Sequence, residues 1–127
     1  CPVNLNNSHW TLLVIFVQKR EVIYYDSMSG SGKTQLNAIK RYLQEEHMTK
    51  LKQPLTPPIE EWTFKSSDPS TTPQQENGYD CGMFTCMNSD FLSDNLPLAF
   101  SQHHMSSFRR KLLHTILNGS EGYSLDV

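Results

Sequence analysis

Three residues of this sequence carry side chains that can act together in nucleophilic catalysis. His9 stands just before a strand-like segment, residues 11–17, and Asp26 ends the next such segment, residues 21–26. Cys81 begins a helix-like segment. If the two strands form a hairpin, His9 and Asp26 lie at the same end of the sheet, where the carboxylate can orient the imidazole. A cysteine at a helix N-terminus gains from the helix dipole, which favours the nucleophilic thiolate.

Each of these residues also has an ordinary structural interpretation. A histidine beside a tryptophan is common at the end of a strand, and an aspartate after a strand often caps its own turn. A cysteine in a helix is often a small core residue. The pattern does not establish that Cys81 reaches His9, so the catalytic and structural interpretations both stay open at this point.

A second candidate chemistry lies in the segment SGSGKT, which follows Asp26 in a strand, loop and helix order. A phosphate-binding P-loop needs a glycine, four residues, then Gly-Lys-Ser/Thr. Gly32, Lys33 and Thr34 supply the end, but Ser27 stands where the first glycine belongs. No later apolar strand ends in an aspartate that would hold magnesium. We therefore interpret the segment as a solvated Gly/Ser loop.

The elements that must position these side chains follow from the hydrophobic periodicity. A polar link between two β-rich segments predicts an antiparallel hairpin, and prolines at residues 53–58 end the helix before them. Ser101 as N-cap and Gly119 as stop bound the last helix. A hairpin with separate helices predicts an α+β fold. The predicted strands are residues 11–17, 21–26 and 61–65, and the predicted helices are residues 34–50, 80–90 and 101–117.

The helical periodicity also predicts which side chains are buried. Adjacent helical residues point about 100° apart, so His103 and His104 are interpreted as surface or packing residues and not as a metal site. Arg109, Arg110 and Lys111 are interpreted as a solvated face. The predicted core residues are Leu36, Ile39, Leu43, Met83, Phe84, Cys86, Met87, Met105, Phe108, Leu112 and Ile116.

Length and composition limit the functional classes. The chain has 127 residues, a net charge of −2 and a mean hydropathy of −0.51, which predicts one domain or part of one, without a basic field for nucleic acid. The longest apolar run is too short to span a membrane. Three cysteines do not form a disulfide framework and favour an intracellular location. The first residue is Cys1 and not methionine, which indicates a fragment or a processed product.

Four segments together resemble the ubiquitin-like-protein proteases, specifically the sentrin/SUMO-specific cysteine protease family. They are HWTLLVI, YYDSMSG, PQQENGYDCGMFTC and FSQHHMSSFRRK, which occur in the family's order. The resemblance implies that His9 is the general base and acid, Asp26 its orienting partner and Cys81 the nucleophile. It places the oxyanion-stabilising glutamine at Gln75, six residues before the cysteine.

The resemblance further implies a substrate channel and a reaction. Trp10 would cover the channel that holds the substrate's Gly-Gly tail, and Gly78 is expected with it among the substrate-binding residues. Gly78 and Gly82 flank the nucleophile and are expected to allow a tight entry into its helix. The implied reaction is hydrolysis after the C-terminal Gly-Gly of SUMO, in maturation and in deconjugation. It would need no metal or organic cofactor. The expected protein is a nuclear monomer that binds SUMO and its conjugates, without nucleic-acid or membrane partners.

The expected fold is the papain-like cysteine proteinase fold of the ubiquitin-like-protease type. Residues 1–127 would form the C-terminal portion of one catalytic domain whose N-terminal part is missing. Two alternatives remain beside an active SUMO protease. One is a catalytically incompetent fragment or modifier-binding remnant, and the other is a protease for a different ubiquitin-like modifier.

Overall fold

A four-stranded sheet and three helices make up residues 1–119, the part of the chain that the computed structural model describes. The strands lie in the order β1-β2-β3-β4. Short 3-10 turns at Ile59–Glu61 and Gln102–His104 precede β4 and α3. The strands are β1 (Pro2–Leu5), β2 (His9–Phe16), β3 (Glu21–Tyr25) and β4 (Thr63–Ser66), and the helices are α1 (Lys33–Leu51), α2 (Cys81–Ser93) and α3 (Met105–Asn118).

The hairpin predicted from the sequence forms between β2 and β3. The two strands pair antiparallel, with Leu12 opposite Tyr25 and Phe16 opposite Glu21. β1 adds to the other side of β2, also antiparallel. β4 pairs parallel with β3, which requires a long crossover, and α1 provides it. The α+β fold class is therefore confirmed.

Helix α1 begins directly after Gly32, where the chain turns tightly beside Tyr24 of β3. Gly32 precedes the helix with φ 57°, in the left-handed region that glycine adopts most readily. A Cβ atom built on Gly32 would lie 2.2 Å from the Tyr24 ring. The helix packs against a first hydrophobic cluster, which we call the sheet core. The buried members of the sheet core are Leu13, Val22, Tyr24 and Leu36, with Ile39 and Leu43 partly buried against them.

Helices α2 and α3 pack on a second cluster, which we call the helix core. Four of its members are aromatic, and their rings meet at tilted or edge-on angles, an arrangement that aromatic pairs prefer. None of the helices within residues 1–119 is long and apolar enough to cross a membrane. The helix core consists of Met83, Phe84, Met87, Phe91, Phe100, Met105 and Phe108.

Two of the predicted core residues are exposed. Cys86 is exposed because it lies about 200° around α2 from Phe84, which faces the helix core. Ile116 keeps the periodicity of Met105 but lies in the last turn of α3, past the aromatic cluster, and is 71% exposed. The prediction of burial was wrong for both residues.

Candidate active site

His9 and Asp26 form a hydrogen-bonded pair at one end of the sheet. Continuing the β2–β3 register by one residue places Asp26 opposite Thr11. Because side chains two apart on a strand share a face, His9 is the diagonal neighbour of Asp26 on the same side. The distance from His9 Nε2 to Asp26 Oδ1 is 2.7 Å. The hairpin thus brings together the two residues as the sequence predicted.

The Asp26 carboxylate is fixed by donors other than the histidine. The backbone N–H of Met28 donates to Oδ1 over 2.8 Å, and that of Gly30 donates to Oδ2 over 3.2 Å. The residue is only 6% exposed. Two backbone N–H groups donate to this buried carboxylate. A carboxylate can only accept, so Nε2 of His9 bears the proton in their contact. This fixes the tautomer and leaves Nδ1 of the ring as the acceptor.

Cys81 is the first residue of α2 and is buried. Helix α2 packs against β2, and a Cβ atom built on Gly82 would lie 3.7 Å from Trp10 Cδ1. The start of α2 therefore lies beside the end of β2 that carries His9 and Trp10. The sequence alone left open which strand α2 packs against, and the structure places it on β2.

Gln75 is held beside the aspartate loop by both its backbone and its side chain. Its N–H donates to the carbonyl of Ser27 over 2.9 Å, and the Ser27 hydroxyl donates to Gln75 Oε1 over 2.6 Å. One amide N–H donates to the Asn77 carbonyl. The neighbouring Gln74 differs, since its amide nitrogen has three backbone carbonyls within 3.4 Å, those of Asp26, Thr72 and Pro73, whereas the Gln75 amide nitrogen donates to one. The structure thus distinguishes the two glutamines.

Trp10 and Gly78 lie on the exposed side of this site. The Trp10 side chain is 43% exposed, although it stands in β2 beside the start of α2. A Cβ atom built on Gly78 would meet no atom within 4 Å. Neither Gly78 nor Gly82 has a left-handed φ, so their backbone conformation gives no reason for glycine. Gly78 is exposed and borders open space.

Asp80 is a site residue that the sequence analysis missed. It is 4% exposed and precedes the cysteine, yet its carboxylate turns away from α2. Asn77 Nδ2 and Gln102 Nε2 each donate to Oδ2 over 2.7 Å, and Arg109 Nε donates to Oδ1 over 3.1 Å. Arg109 is exposed, as predicted, but its guanidinium also pairs with the buried Asp80 carboxylate, which the sequence did not show. An Asn-x-x-Asp spacing before Cys81 was the available signal.

These contacts lower the pKa of the Asp80 carboxyl. Burial raises that pKa, but hydrogen bonds from Asn77, Arg109 and Gln102 and the guanidinium charge outweigh it. A carboxylate whose pKa is lower in the folded state stabilises the fold at pH values above its unfolded pKa of about 3.9. That stabilisation is lost as the pH falls through the folded-state pKa.

Replacing Asp80 by Asn tests this assignment. We expect the free energy of unfolding to fall by about 2 kcal/mol at pH 7, because charge-assisted hydrogen bonds are lost. The difference between the two proteins should shrink as the pH falls below about 4, because the unfolded wild-type chain then binds a proton that the folded carboxylate does not. Urea unfolding at a series of pH values measures this. A difference that stays constant down to pH 3 would contradict the pKa direction.

The histidines of the last helical segment have structural contacts. Ser101 N donates to His104 Nδ1 over 3.0 Å, and the His104 ring stacks on Phe108. A capping box makes Ser101 the N-cap of the 3-10 turn Gln102–His104, whereas α3 itself begins at Met105, four residues later than predicted. His103 is exposed. Within residues 1–119, no group of three or more His, Cys, Asp or Glu side chains is placed to hold a metal ion.

The geometry can support nucleophilic acyl transfer. A cysteine at a helix N-terminus supplies the nucleophile, and a histidine oriented by a buried carboxylate supplies a general base and acid. The three residues come from a helix, a strand and the end of the neighbouring strand. This arrangement defines a cysteine-peptidase type of site.

Comparison with known proteins agrees with that class. The family model described as "Ulp1 protease family, C-terminal catalytic domain" matches residues 1–119. The chain therefore belongs to the Ulp1 protease family, and the family resemblance found in the sequence is confirmed.

The chain matches only part of the length of its relatives. It is 43% identical over 110 residues to Sentrin-specific protease 2 of Homo sapiens, covering 87% of this chain and 18% of that protein. It is 37% identical over 116 residues to Ubiquitin-like-specific protease 1 of Saccharomyces cerevisiae, covering 91% of this chain and 18% of that protein. The chain spans less than a fifth of the length of these relatives.

Solved structures confirm the fold of the ubiquitin-like-protease type. The C-terminal Ulp1 protease domain in complex with Smt3, the yeast ortholog of SUMO, matches with a TM-score of 0.73 and 37% identity, covering 91% of this chain and 50% of that one. The catalytic domain of the Chaetomium thermophilum Ulp1-like SUMO protease matches with a TM-score of 0.72 and 30% identity. That match covers 98% of this chain and 48% of the solved one.

Proposed function

We propose that the full-length protein is a cysteine peptidase that hydrolyses the bond after the C-terminal Gly-Gly of SUMO. Its substrates are SUMO precursors and SUMO–lysine isopeptide conjugates, and its expected location is the nucleus. The observation that carries the proposal is the 2.7 Å contact between His9 and Asp26 at the end of β2 that packs beside Cys81. Membership of the Ulp1 family supports the choice of SUMO.

The proposed reaction has two steps on the same residues. The Cys81 thiolate attacks the carbonyl carbon of the last glycine, and the bond from that carbon to the leaving nitrogen breaks. His9 gives its proton to the leaving amine, while Asp26 stabilises the ring. His9 then takes a proton from water, which attacks the thioester. The products are the SUMO carboxylate and the free thiol.

Gln75 and Trp10 serve this reaction in different ways. The free amide N–H of Gln75 and the backbone N–H of Cys81 donate to the oxyanion that develops during attack. The Ser27 hydroxyl donates to the Gln75 amide oxygen. This contact fixes the amide so that its NH₂ group, and not its oxygen, is directed toward the oxyanion. The exposed Trp10 indole presses on the glycine backbone, since glycine has no side chain to bind. Gly78 leaves the approach to Cys81 open.

Replacing Gln75 by Ala should lower kcat for a SUMO-linked fluorogenic substrate by about 10²- to 10³-fold, with little change in KM, because an oxyanion donor acts in the transition state. Gln74→Ala is the matched neighbour, and it should lose less because its amide faces backbone carbonyls. Steady-state kinetics compare the two. A larger loss in Gln74→Ala would move the oxyanion role to that residue.

A covalent capture experiment tests the function itself. SUMO carrying a thiol-reactive group at its C-terminus is mixed with the full-length protein and with residues 1–127, and adducts are detected by intact mass. Cys81→Ser and a reactive ubiquitin are run in parallel. We expect one SUMO adduct on the full-length protein, lost in Cys81→Ser and absent with ubiquitin.

The other outcomes separate the alternatives. An adduct on the full-length protein alone would mean that residues 1–127 are an incomplete protease. Labelling by ubiquitin or another modifier in place of SUMO would change the substrate class. Reversible SUMO binding without an adduct would indicate a modifier-binding remnant. No adduct and no binding in the full-length protein would overturn the proposal.

A further inference from the structure

We propose that Arg109 and Gln102 are positioning residues that hold the nucleophile segment, residues 75–81, in its reactive conformation through Asp80. This inference rests on the proposed function, because it concerns the same cysteine. It adds two residues outside the loop that carries Gln75 and Cys81. Neither contacts the reacting atoms in this assignment.

The nucleophile segment is folded around one side chain. Asn77 Oδ1 accepts hydrogen bonds from the N–H groups of Tyr79 and Asp80, over 3.2 and 3.0 Å. Its Nδ2 donates to the Asp80 carboxylate, and its carbonyl accepts from the Gln75 amide. The oxyanion candidate and the residue before the nucleophile thus share a single hydrogen-bonded turn.

This turn is attached to the rest of the molecule from two sides. On one side, Ser27 bonds both the backbone and the side chain of Gln75. On the other side, Gln102 bridges the turn: its Oε1 accepts from the Glu76 N–H over 2.9 Å and its Nε2 donates to Asp80. Gln102 therefore holds both ends of the segment that leads to Cys81.

Arg109 adds charge to this attachment. Its Nε and Nη2 both donate to Asp80 Oδ1, and Nη2 also reaches the Tyr79 carbonyl over 3.5 Å. The Asp80 side chain is 5% exposed, whereas that of Arg109 is 49% exposed. A buried carboxylate is costly unless it is paired and hydrogen-bonded. The guanidinium of α3 neutralises it in place.

The arrangement explains why Asp80 does not cap its own helix. It occupies the N-cap position of α2, a position that favours aspartate, but makes no side-chain cap bond. Its carboxylate instead accepts hydrogen bonds from the side chains of Gln102 and Arg109. The start of α2, and Cys81 with it, is therefore anchored to α3.

The test uses full-length protein in which the exposed thiols Cys1 and Cys86 are replaced by Ser, and alkylation of Cys81 is followed by mass spectrometry on the peptide that carries it. Arg109→Ala, Arg109→Lys and Gln102→Ala are compared with Arg110→Ala, an exposed arginine on the same helix. Thermal unfolding is recorded first, and all rates are measured well below the lowest midpoint. The readouts are kcat and KM on a SUMO-linked fluorogenic substrate and the rate of Cys81 alkylation by iodoacetamide at pH 7.

We expect Arg109→Ala to lower kcat about tenfold with KM nearly unchanged, since small displacements of a reacting group cost much of the rate. Alkylation of Cys81 should slow at least about threefold, because a displaced cysteine loses its placement beside the base that activates it. Arg109→Lys should recover part of both rates, as it restores the charge without the two-pronged geometry. Gln102→Ala should lower kcat, and Arg110→Ala should match the parent.

A kcat or an alkylation rate that stays at the parent value in Arg109→Ala overturns the proposal, even if the protein is less stable. Lower stability alone would show a merely structural contact. If the parent does not cleave SUMO, the proposed function fails, and the alkylation rates alone then decide whether Arg109 positions the cysteine. The two failures are therefore distinguishable.

Discussion

Replacing Asp26 by Asn is expected to lower kcat/KM by about 10³- to 10⁴-fold, the scale at which an orienting carboxylate acts in a cysteine or serine triad. Oδ1 accepts from His9 and Met28, and Oδ2 accepts from Gly30. Asparagine can keep its oxygen toward His9 only by turning its NH₂ group toward the Gly30 N–H. The ring then loses the charge that stabilises its protonated form, and one donor is left without an acceptor.

The measurement is steady-state hydrolysis of a SUMO-linked fluorogenic substrate across pH 5 to 9. Asp94→Asn is the matched control, because that carboxylate is exposed after the end of α2. It should behave as the parent protein does. An Asp26→Asn variant that keeps more than about a tenth of the parent's kcat/KM would remove Asp26 from the proposed mechanism.

The largest expected effect on stability comes from Gly32→Ala, which should lower the free energy of unfolding by about 2 to 4 kcal/mol. Two costs combine at this position. The backbone φ of 57° is unfavourable for alanine, and the new methyl group would overlap the ring of Tyr24, which is 1% exposed. The buried ring cannot move aside without disturbing the sheet core.

Two other glycines separate these costs. Gly119 has φ 77° but no atom within 4 Å of a built Cβ, so Gly119→Ala carries the backbone cost alone. Gly78 has neither a left-handed φ nor a close neighbour, so Gly78→Ala carries neither. Urea unfolding should rank the losses Gly32, then Gly119, then Gly78. Equal losses for Gly32 and Gly119 would show that the contact with Tyr24 is relieved at little cost.

Local sequence signals predicted the parts of the site that lie close along the chain. β-branched and aromatic residues marked β2 and β3, and a hairpin between them forces His9 toward Asp26. The helix starts near residues 33 and 81 followed from periodicity and were correct within a residue. These features depend on short-range geometry, which propensity and spacing describe well.

The remaining features depend on contacts between distant segments. The approach of Cys81 to His9 requires α2 to pack on β2, about 70 residues later in the chain, and no local pattern specifies that packing. The pairing of Asp80 with Arg109 is equally long in range. Arg109 looked like a surface residue because an isolated helix has no partner for it. Cys86 looked buried because residue type was weighed without the direction of its side chain.

The catalytic candidates lie on elements that pack in two separate hydrophobic clusters. His9 and Asp26 are fixed by the strands over the sheet core, whereas Cys81 begins the helix that fills the helix core. Clusters of this kind often open as independent cooperative units in native-state hydrogen exchange. The distance between the Cys81 sulfur and the His9 imidazole then depends on how these two units pack against each other. A ligand that contacts both units would stabilise the assembled site directly, so substrate binding itself can contribute to building the reactive geometry.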